Sequence, residues 1–194
     1  MQKAACLTVI GHLTEPSGRR QLPKSACEPF SSYANSITRC SILGPGLSDW
    51  IDLLAAFDAS GIRYLVVGGI AVGFHGEPRF TKDLDLLVHV ETGRHGLLHQ
   101  VLREFGAPVG IIRPEEFLQD DFVFHFGSPP WRIDILTSIP GVDFEDAYAE
   151  RVKLPLGDYS ADCISKSWLV KAKRASGRPQ DLLDLQGLID EPPA

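Results

Sequence analysis

A pair of adjacent glycines, Gly68 and Gly69, separates an apolar stretch from a short helical one, and this pair constrains the fold more than any other feature of the sequence. The preceding residues, Ile62 to Val67, are apolar enough for a central strand, and Ile70 to Phe74 predicts a short helix. Glycine lets the backbone turn sharply and leaves the first N–H groups of that helix uncovered by side chains. Because such a helix start attracts anions, phosphate above all, the pair predicts a phosphate-binding turn.

Two carboxylates one residue apart open the next predicted strand, Asp83 to Val90. Residues two apart on a strand point to the same face, so Asp83 and Asp85 are expected to lie side by side. Two like charges this close either retain a proton or share a divalent cation, and magnesium or manganese suits such oxygen ligands. The alternative is a solvated strand edge with surface ion pairs to Arg79 and Lys82.

A third carboxylate, Asp134, lies within a later apolar strand, Trp131 to Leu136, where it shares a face with Arg132. This strand is expected to neighbour the strand that begins at Asp83. Three convergent carboxylates suit a two-metal site, in which one metal binds a triphosphate and the other activates a hydroxyl. Without metal they would repel one another, so Asp134 strengthens the metal-site prediction.

Length and composition predict one globular domain with an appendage. The chain has 194 residues, 44% of them hydrophobic, and a net charge of -6, which argues against broad nonspecific binding of nucleic acid. No apolar run approaches the roughly 20 residues of a membrane helix, and the expected location is cytoplasmic. Residues 1–46 carry no periodicity and predict a poorly ordered extension, followed by a domain over residues 47–190 with a core at 47–140 and a carboxyl-terminal part at 141–190.

Helical and strand patterns alternate through that domain, which predicts an α/β fold with a mixed β-sheet flanked by helices and a helical carboxyl-terminal part. The further predicted helices cover residues 48–60, 92–105, 143–150, 165–175 and 181–189. The further predicted strands cover residues 122–126 and a pair within 151–164 that turns at Gly157 and Asp158.

A dinucleotide-binding βαβ unit is an alternative explanation for glycines between a strand and a helix. Its fingerprint is G-x-G-x-x-G, with a single acid that ends the second strand. Here the glycines are adjacent and the acids open the strand as a pair, so this alternative is rejected. The histidines show no metal-ligand spacing and are interpreted as structural: His75, His89, His95, His99 and His125.

The order of these motifs resembles the DNA-polymerase-beta-type nucleotidyltransferase superfamily: Gly68-Gly69, Asp83-x-Asp85 after a short helix, then Asp134 on a later strand. The segment Leu169 to Leu185, a lysine-bearing helix followed by basic-x-x-Asp-x-x-Asp-Leu, is similar to the AbiEii/AbiGii-type toxin nucleotidyltransferases and their bacterial relatives. The resemblance covers about residues 48–190. Many superfamily members have Gly-Ser where this chain has Gly-Gly, which removes a hydroxyl but leaves the backbone donors.

The resemblance implies a nucleotidyltransferase that moves a nucleoside monophosphate from a nucleoside triphosphate to an acceptor hydroxyl and releases pyrophosphate. Asp83 and Asp85 would bind Mg²⁺ or Mn²⁺, and Asp134 would complete the metal site and assist deprotonation of the acceptor. The implied nucleotide-binding residues are Gly68, Gly69, Arg79, Lys82, Lys171 and Arg174. For Arg174 a solvated helix face is the alternative, and for Arg79 and Lys82 it is local charge balance.

The resemblance to toxins also implies partners. Transfer RNA or a protein hydroxyl is the expected acceptor, and an antitoxin is an expected binding partner. The basic stretch from Lys166 to Arg178 is compatible with RNA, although the acidic net charge of -6 is not a general feature of RNA-binding proteins. The alternative from another functional class is a nucleotide-binding or partner-binding module that has kept the fold and lost the chemistry.

Overall fold

The computed structural model describes residues 47–76, 81–127 and 130–189. The predicted extension over residues 1–46 and the candidate residue Arg79 lie outside this part of the chain. The described helices are α1 (Leu47–Ala59), α2 (Gly68–His75), α3 (His95–Phe105), α4 (Phe144–Ala149), α5 (Lys166–Ser176) and α6 (Pro179–Ile189). The described strands are β1 (Arg63–Val67), β2 (Asp83–His89), β3 (Val123–Phe126), β4 (Arg132–Leu136), β5 (Val152–Leu156) and β6 (Tyr159–Cys163).

The six strands form one mixed sheet in the order β3-β4-β2-β1-β6-β5. β2 runs antiparallel to β1 and parallel to β4, while β6 is parallel to β1. The outer pairs, β3 with β4 and β5 with β6, are antiparallel. The prediction of a mixed sheet flanked by helices is confirmed, and so is the placement of the Asp134 strand beside the Asp83 strand.

Two helices, α1 and α2, contact the central strands of the sheet and also pack against other helices. α1 contacts β1 and α3 through the apolar face predicted from its spacing, with Trp50, Leu53, Leu54 and Phe57 buried. α2 contacts β1, β2, α5 and α6. None of the helices in the described ranges is long and apolar enough to cross a membrane.

Two differences from the predicted elements have local causes. α6 begins at Pro179 rather than Asp181, because proline fits the first turn of a helix, where its missing N–H has no partner to lose. Short 3-10 helices at Val109–Ile111 and Pro114–Leu118 were not predicted. The second places Phe117 edge-on against Phe122 and Phe124, so it covers the β3 end of the sheet.

A buried ion pair network joins the last two helices. Lys173 Nζ of α5 lies 2.5 Å from Asp181 Oδ1 and 2.8 Å from Asp184 Oδ2, both in α6. The three side chains are 11%, 11% and 2% exposed in that order. Burial acts to raise the pKa of Asp181, but hydrogen bonds from Lys173 and Ser176 and the positive charges of Lys173 and Arg178 together outweigh it, and the pKa is lowered. Asp181 therefore ties the helices together through Lys173.

We expect Lys173→Met to lower the free energy of unfolding by about 3 kcal/mol, because two buried carboxylates would lose their cation. Lys171→Met is the matched control, since Lys171 is exposed and its Nζ lies 3.9 Å from the ring centroid of Trp168. That control should cost less than about 1 kcal/mol. Urea unfolding of both variants measures the difference, and equal losses would contradict the assignment.

Candidate active site

One edge of the sheet brings together the motifs that the sequence separates. β2 begins at Asp83 and runs parallel to β4, so that Asp85 lies opposite Asp134. β1 runs in the reverse direction, which places its last residue, Val67, opposite Asp85. The turn that starts at Gly68 therefore opens at the same edge as the three carboxylates.

Gly68 and Asp85 approach each other so closely that the glycine cannot carry a side chain. The φ angle of Gly68 is +63°, and a Cβ atom there would lie 2.0 Å from Asp85 Oδ2. The Gly69 N–H donates a hydrogen bond to the Asp85 carboxylate. The amide of the second helical residue thus interacts with a carboxylate of the protein, and the glycine pair holds Asp85 in place. Contact of the pair with a triphosphate remains a prediction.

The carboxylates at this edge interact strongly. Burial raises the pKa of Asp85 to about 6, and the negative charges of Asp134 and Asp83 add to the shift, while the Gly69 hydrogen bond opposes it. Burial also raises the pKa of Asp134, against the opposing effects of Arg132 and His125. A cation at this edge would relieve the repulsion.

Arg132 is the cation that contacts two of these carboxylates in the structure. Its Nη2 lies 3.0 Å from Asp83 Oδ2, and its Nε lies 2.8 Å from Asp134 Oδ1. His125 of β3 stands opposite Asp134 in the register, with its Nδ1 3.8 Å from Asp134 Oδ1. Asp134 is the more buried of the two carboxylates that Arg132 contacts, and it is thus flanked by two basic side chains.

The fit of a divalent metal depends on the chemistry of these ligands. Three carboxylates at one sheet edge, two of them with raised pKa values, are the hard oxygen donors that Mg²⁺ and Mn²⁺ take. Their side-chain arrangement is not yet that of a metal site, because the described residues contain no group of three or more His, Cys, Asp or Glu that could hold an ion. Arg132 instead bridges Asp83 and Asp134. The donor set fits a metal, and side-chain movement is required to bind it.

The predicted nucleotide-binding residues divide into two groups. Lys82 directly precedes Asp83, and its carbonyl accepts a hydrogen bond from the Arg132 N–H at 3.1 Å. Lys171 and Arg174 lie on the exposed side of α5, where the Lys171 ammonium group stacks on Trp168. α5 follows β6, and Ile164 N donates to Val66 O at 3.1 Å, so this helix starts beside the edge that carries the carboxylates.

Two basic residues at the site were not among the predicted site residues, namely Arg132 and His125. The alternation of side chains along each strand indicates which residues share a face with the carboxylates. Arg132 shares a face with Asp134, and His125 is the polar residue between the buried Phe124 and Phe126. What the alternation could not supply was the pairing of β3 with β4, which sets His125 opposite Asp134. The interpretation of His125 as a purely structural residue therefore omitted its contact with the site.

The raised pKa of Asp85 predicts a pH dependence of stability. In the folded protein this carboxyl holds its proton up to a pH of about 6, against an ordinary value of 3.8, so its charge destabilises the fold above pH 6. That cost disappears as the pH falls from about 6 to 4. We expect the stability advantage of Asp85→Asn over wild type, measured by urea unfolding in EDTA, to shrink across this range. An advantage independent of pH would contradict the assignment.

Comparison with known proteins yields partial structural similarity alone. No protein-family model and no curated protein sequence matches the chain. The structure of an antigenic nucleotidyltransferase-like protein from Paracoccidioides brasiliensis aligns with a TM-score of 0.47 and 19% identity, over 76% of this chain and 76% of that one. The lincomycin-bound lincosamide antibiotic adenylyltransferase LnuA aligns with a TM-score of 0.43 and 16% identity, over 80% of this chain and 99% of its own.

Proposed function

We propose that the protein is a metal-dependent nucleotidyltransferase that transfers a nucleoside monophosphate from a nucleoside triphosphate to an acceptor hydroxyl. The observation that carries this proposal is the meeting of Asp83, Asp85 and Asp134 at the sheet edge where the Gly68 turn opens. A protein has little structural reason to place three carboxylates together, since burial raises the pKa of Asp85 to about 6 and the charges of Asp134 and Asp83 add to that shift.

In the proposed reaction, the acceptor oxygen forms a bond to the α-phosphorus while the bond to the bridging oxygen of the β-phosphate breaks. Pyrophosphate leaves with the electron pair of that bond, and the acceptor proton passes to Asp134. Burial raises the pKa of Asp134, which makes its carboxylate a better proton acceptor than an exposed aspartate. A Mg²⁺ or Mn²⁺ ion, held by Asp83, Asp85 and Asp134, would supply electrostatic stabilisation of the phosphate charge.

The acceptor that the surface favours is an RNA hydroxyl. Lys171 and Arg174 are exposed at i and i+3 and form a basic stripe on α5, and the exposed Arg178 lies just beyond the end of this helix. This helix begins beside the carboxylate edge, and such a stripe attracts a phosphate backbone. Transfer RNA is therefore the acceptor we propose to test first, with a protein hydroxyl as the alternative. An antitoxin partner remains a prediction from the resemblance.

One observation favours a second candidate, a binding module without catalysis. Arg132 neutralises two of the three carboxylates by direct ion pairs, and the described side chains are not arranged as a metal site. A protein that had lost the chemistry could retain this balanced edge and still bind a nucleotide or a partner.

The deciding experiment incubates the full chain and Mg²⁺ with each nucleoside triphosphate, labelled at the α-phosphate, with and without transfer RNA. We expect the label on the RNA or on the protein itself. A γ-labelled triphosphate serves as the chemical control, because its label leaves with pyrophosphate in nucleotidyl transfer and is retained in phosphoryl transfer.

The Asp83→Asn/Asp85→Asn variant is the protein control and should give no labelling. Triphosphate binding by equilibrium dialysis separates the two candidates. Triphosphate binding without transfer to any acceptor supports a nucleotide-binding module, while absence of both binding and transfer refutes the enzyme and the nucleotide-binding module and leaves a partner-binding module.

A further inference from the structure

We propose that Arg132 is an internal counter-ion of the carboxylate site, which a divalent cation must displace from Asp83 and Asp134 in order to bind them. This inference rests on the proposed function for the identity of the metal ligands. It adds to that function a residue that sets the affinity of the site for metal.

The backbone fixes where Arg132 starts but leaves its side chain free to move. Arg132 is the first residue of β4, its Cα pairs with that of Asp83, and its N–H donates to Lys82 O at 3.1 Å. Arg132 and Asp134 lie on the same face of β4, so the guanidinium reaches across to both carboxylates. The side chain is nevertheless 51% exposed, against 10% for Asp134, so solvent is open to it on one side.

Charge makes the two modes of binding mutually exclusive. An arginine side chain is a permanent cation. Its positive charge is therefore removed from the carboxylates only by movement of the side chain. A divalent cation held by the same oxygen atoms would lie within a few ångströms of that positive charge, where the repulsion is strong. The oxygen atoms that Arg132 contacts, Asp83 Oδ2 and Asp134 Oδ1, belong to two of the three proposed metal ligands.

The ion pairs of Arg132 are of the kind that can be exchanged. Arg132 is 51% exposed and Asp83 38%, so water and salt screen this pair and weaken it, while in the pair with the buried Asp134 the arginine end is the part open to solvent. A divalent ion brings twice the charge and binds carboxylates through several oxygen atoms. Arg132 therefore keeps the edge balanced in charge at low metal concentration and raises the concentration at which metal binds.

The test measures metal binding directly, without nucleotide or activity. Protein is treated with EDTA, desalted and titrated with Mn²⁺, and free Mn²⁺ is followed by its electron paramagnetic resonance signal. We expect Arg132→Gln to lower the Kd for Mn²⁺ by about tenfold, because the competing cation is gone. Arg132→Lys, which keeps the charge, should stay closer to wild type.

Arg103→Gln is the matched control. Arg103 is exposed on α3, so this variant loses the same net charge at a position outside β2 and β4, and its Kd should change less than about twofold. Unchanged or weaker Mn²⁺ binding by Arg132→Gln overturns the proposal, as does absence of Mn²⁺ binding in every variant.

A second measurement follows the side chain of Arg132 itself in the wild-type chain. Titration with Mg²⁺ should shift the Arg132 Nε–H resonance, assigned by its absence from the Arg132→Gln spectrum, while that of Arg103 stays fixed. A stationary Arg132 resonance under saturating Mg²⁺ overturns the proposal. Mn²⁺ binding with the expected Arg132 dependence but without labelling by triphosphate would refute the proposed function and leave this inference standing.

Discussion

Asp85→Asn is expected to abolish nucleotidyl transfer and at the same time to stabilise the folded protein. Transfer should fall by about 1000-fold, because the variant lacks one of the carboxylates proposed to hold the metal. The free energy of unfolding in EDTA at pH 8 should rise by about 2 kcal/mol, because the variant removes a charge whose burial raises the pKa of Asp85 to about 6. The asparagine oxygen can still accept the Gly69 N–H. Labelling assays and urea unfolding measure the two effects on the same preparation.

A loss of transfer together with a gain in stability would indicate that Asp85 serves catalysis at a cost to the stability of the fold. Asp120→Asn is the control, since Asp120 is exposed in the segment before β3, near the far end of β4, and its replacement should leave both quantities unchanged within error. A loss of transfer accompanied by a loss of stability would indicate instead that Asp85 serves the fold. Unchanged transfer would remove Asp85 from the proposed mechanism.

Gly68→Ala is expected to lower the free energy of unfolding by about 4 kcal/mol and to eliminate transfer. Two costs add at this position. The backbone has a φ angle of +63°, which alanine adopts with strain, and the new Cβ would lie 2.0 Å from Asp85 Oδ2 and 2.6 Å from its Cγ. Either the β1–α2 turn or the Asp85 side chain must move, and both movements disturb the carboxylate edge. Thermal and urea unfolding give the first effect, and the α-label assay gives the second.

Gly157→Ala separates the two costs. Gly157 lies in the turn between β5 and β6 with a φ angle of +66°, almost that of Gly68, but a Cβ there meets nothing within 4 Å. We expect it to cost about 1 kcal/mol from backbone strain alone and to leave transfer intact. Equal destabilisation by the two variants would show that the contact with Asp85 is unimportant.

Lys171 and Lys173 of α5 differ in burial, and helical periodicity predicts which of the two faces inward. Residues two apart on a helix point in nearly opposite directions. Leu169 and Ala172 are buried, and Lys173 follows Leu169 by four residues, so it belongs to the inner face, while Lys171 points outward. The resemblance implies a nucleotide-binding role for Lys171, whereas the buried ion pairs with Asp181 and Asp184 are made by Lys173.

The sequence by itself determined the elements of the carboxylate edge. Strand, glycine turn, helix and paired acids are local patterns, and alternation along each strand assigned Asp83, Asp85 and Asp134 to polar faces before any pairing was known. The neighbouring position of β2 and β4 was also predicted, because two apolar strands that carry carboxylates are most economically explained by one shared site.

The tertiary structure alone decided which groups contact those carboxylates. The Gly69 amide meets Asp85 through the antiparallel pairing of β1 with β2, and Arg132 bridges Asp83 and Asp134 through the parallel register of β2 with β4. Register is set by packing among elements far apart in the chain, and a shift of one residue would reverse every side chain between the two faces. The sequence predicts three acidic residues that would bind a metal, whereas in the folded protein two of them already contact the guanidinium of Arg132.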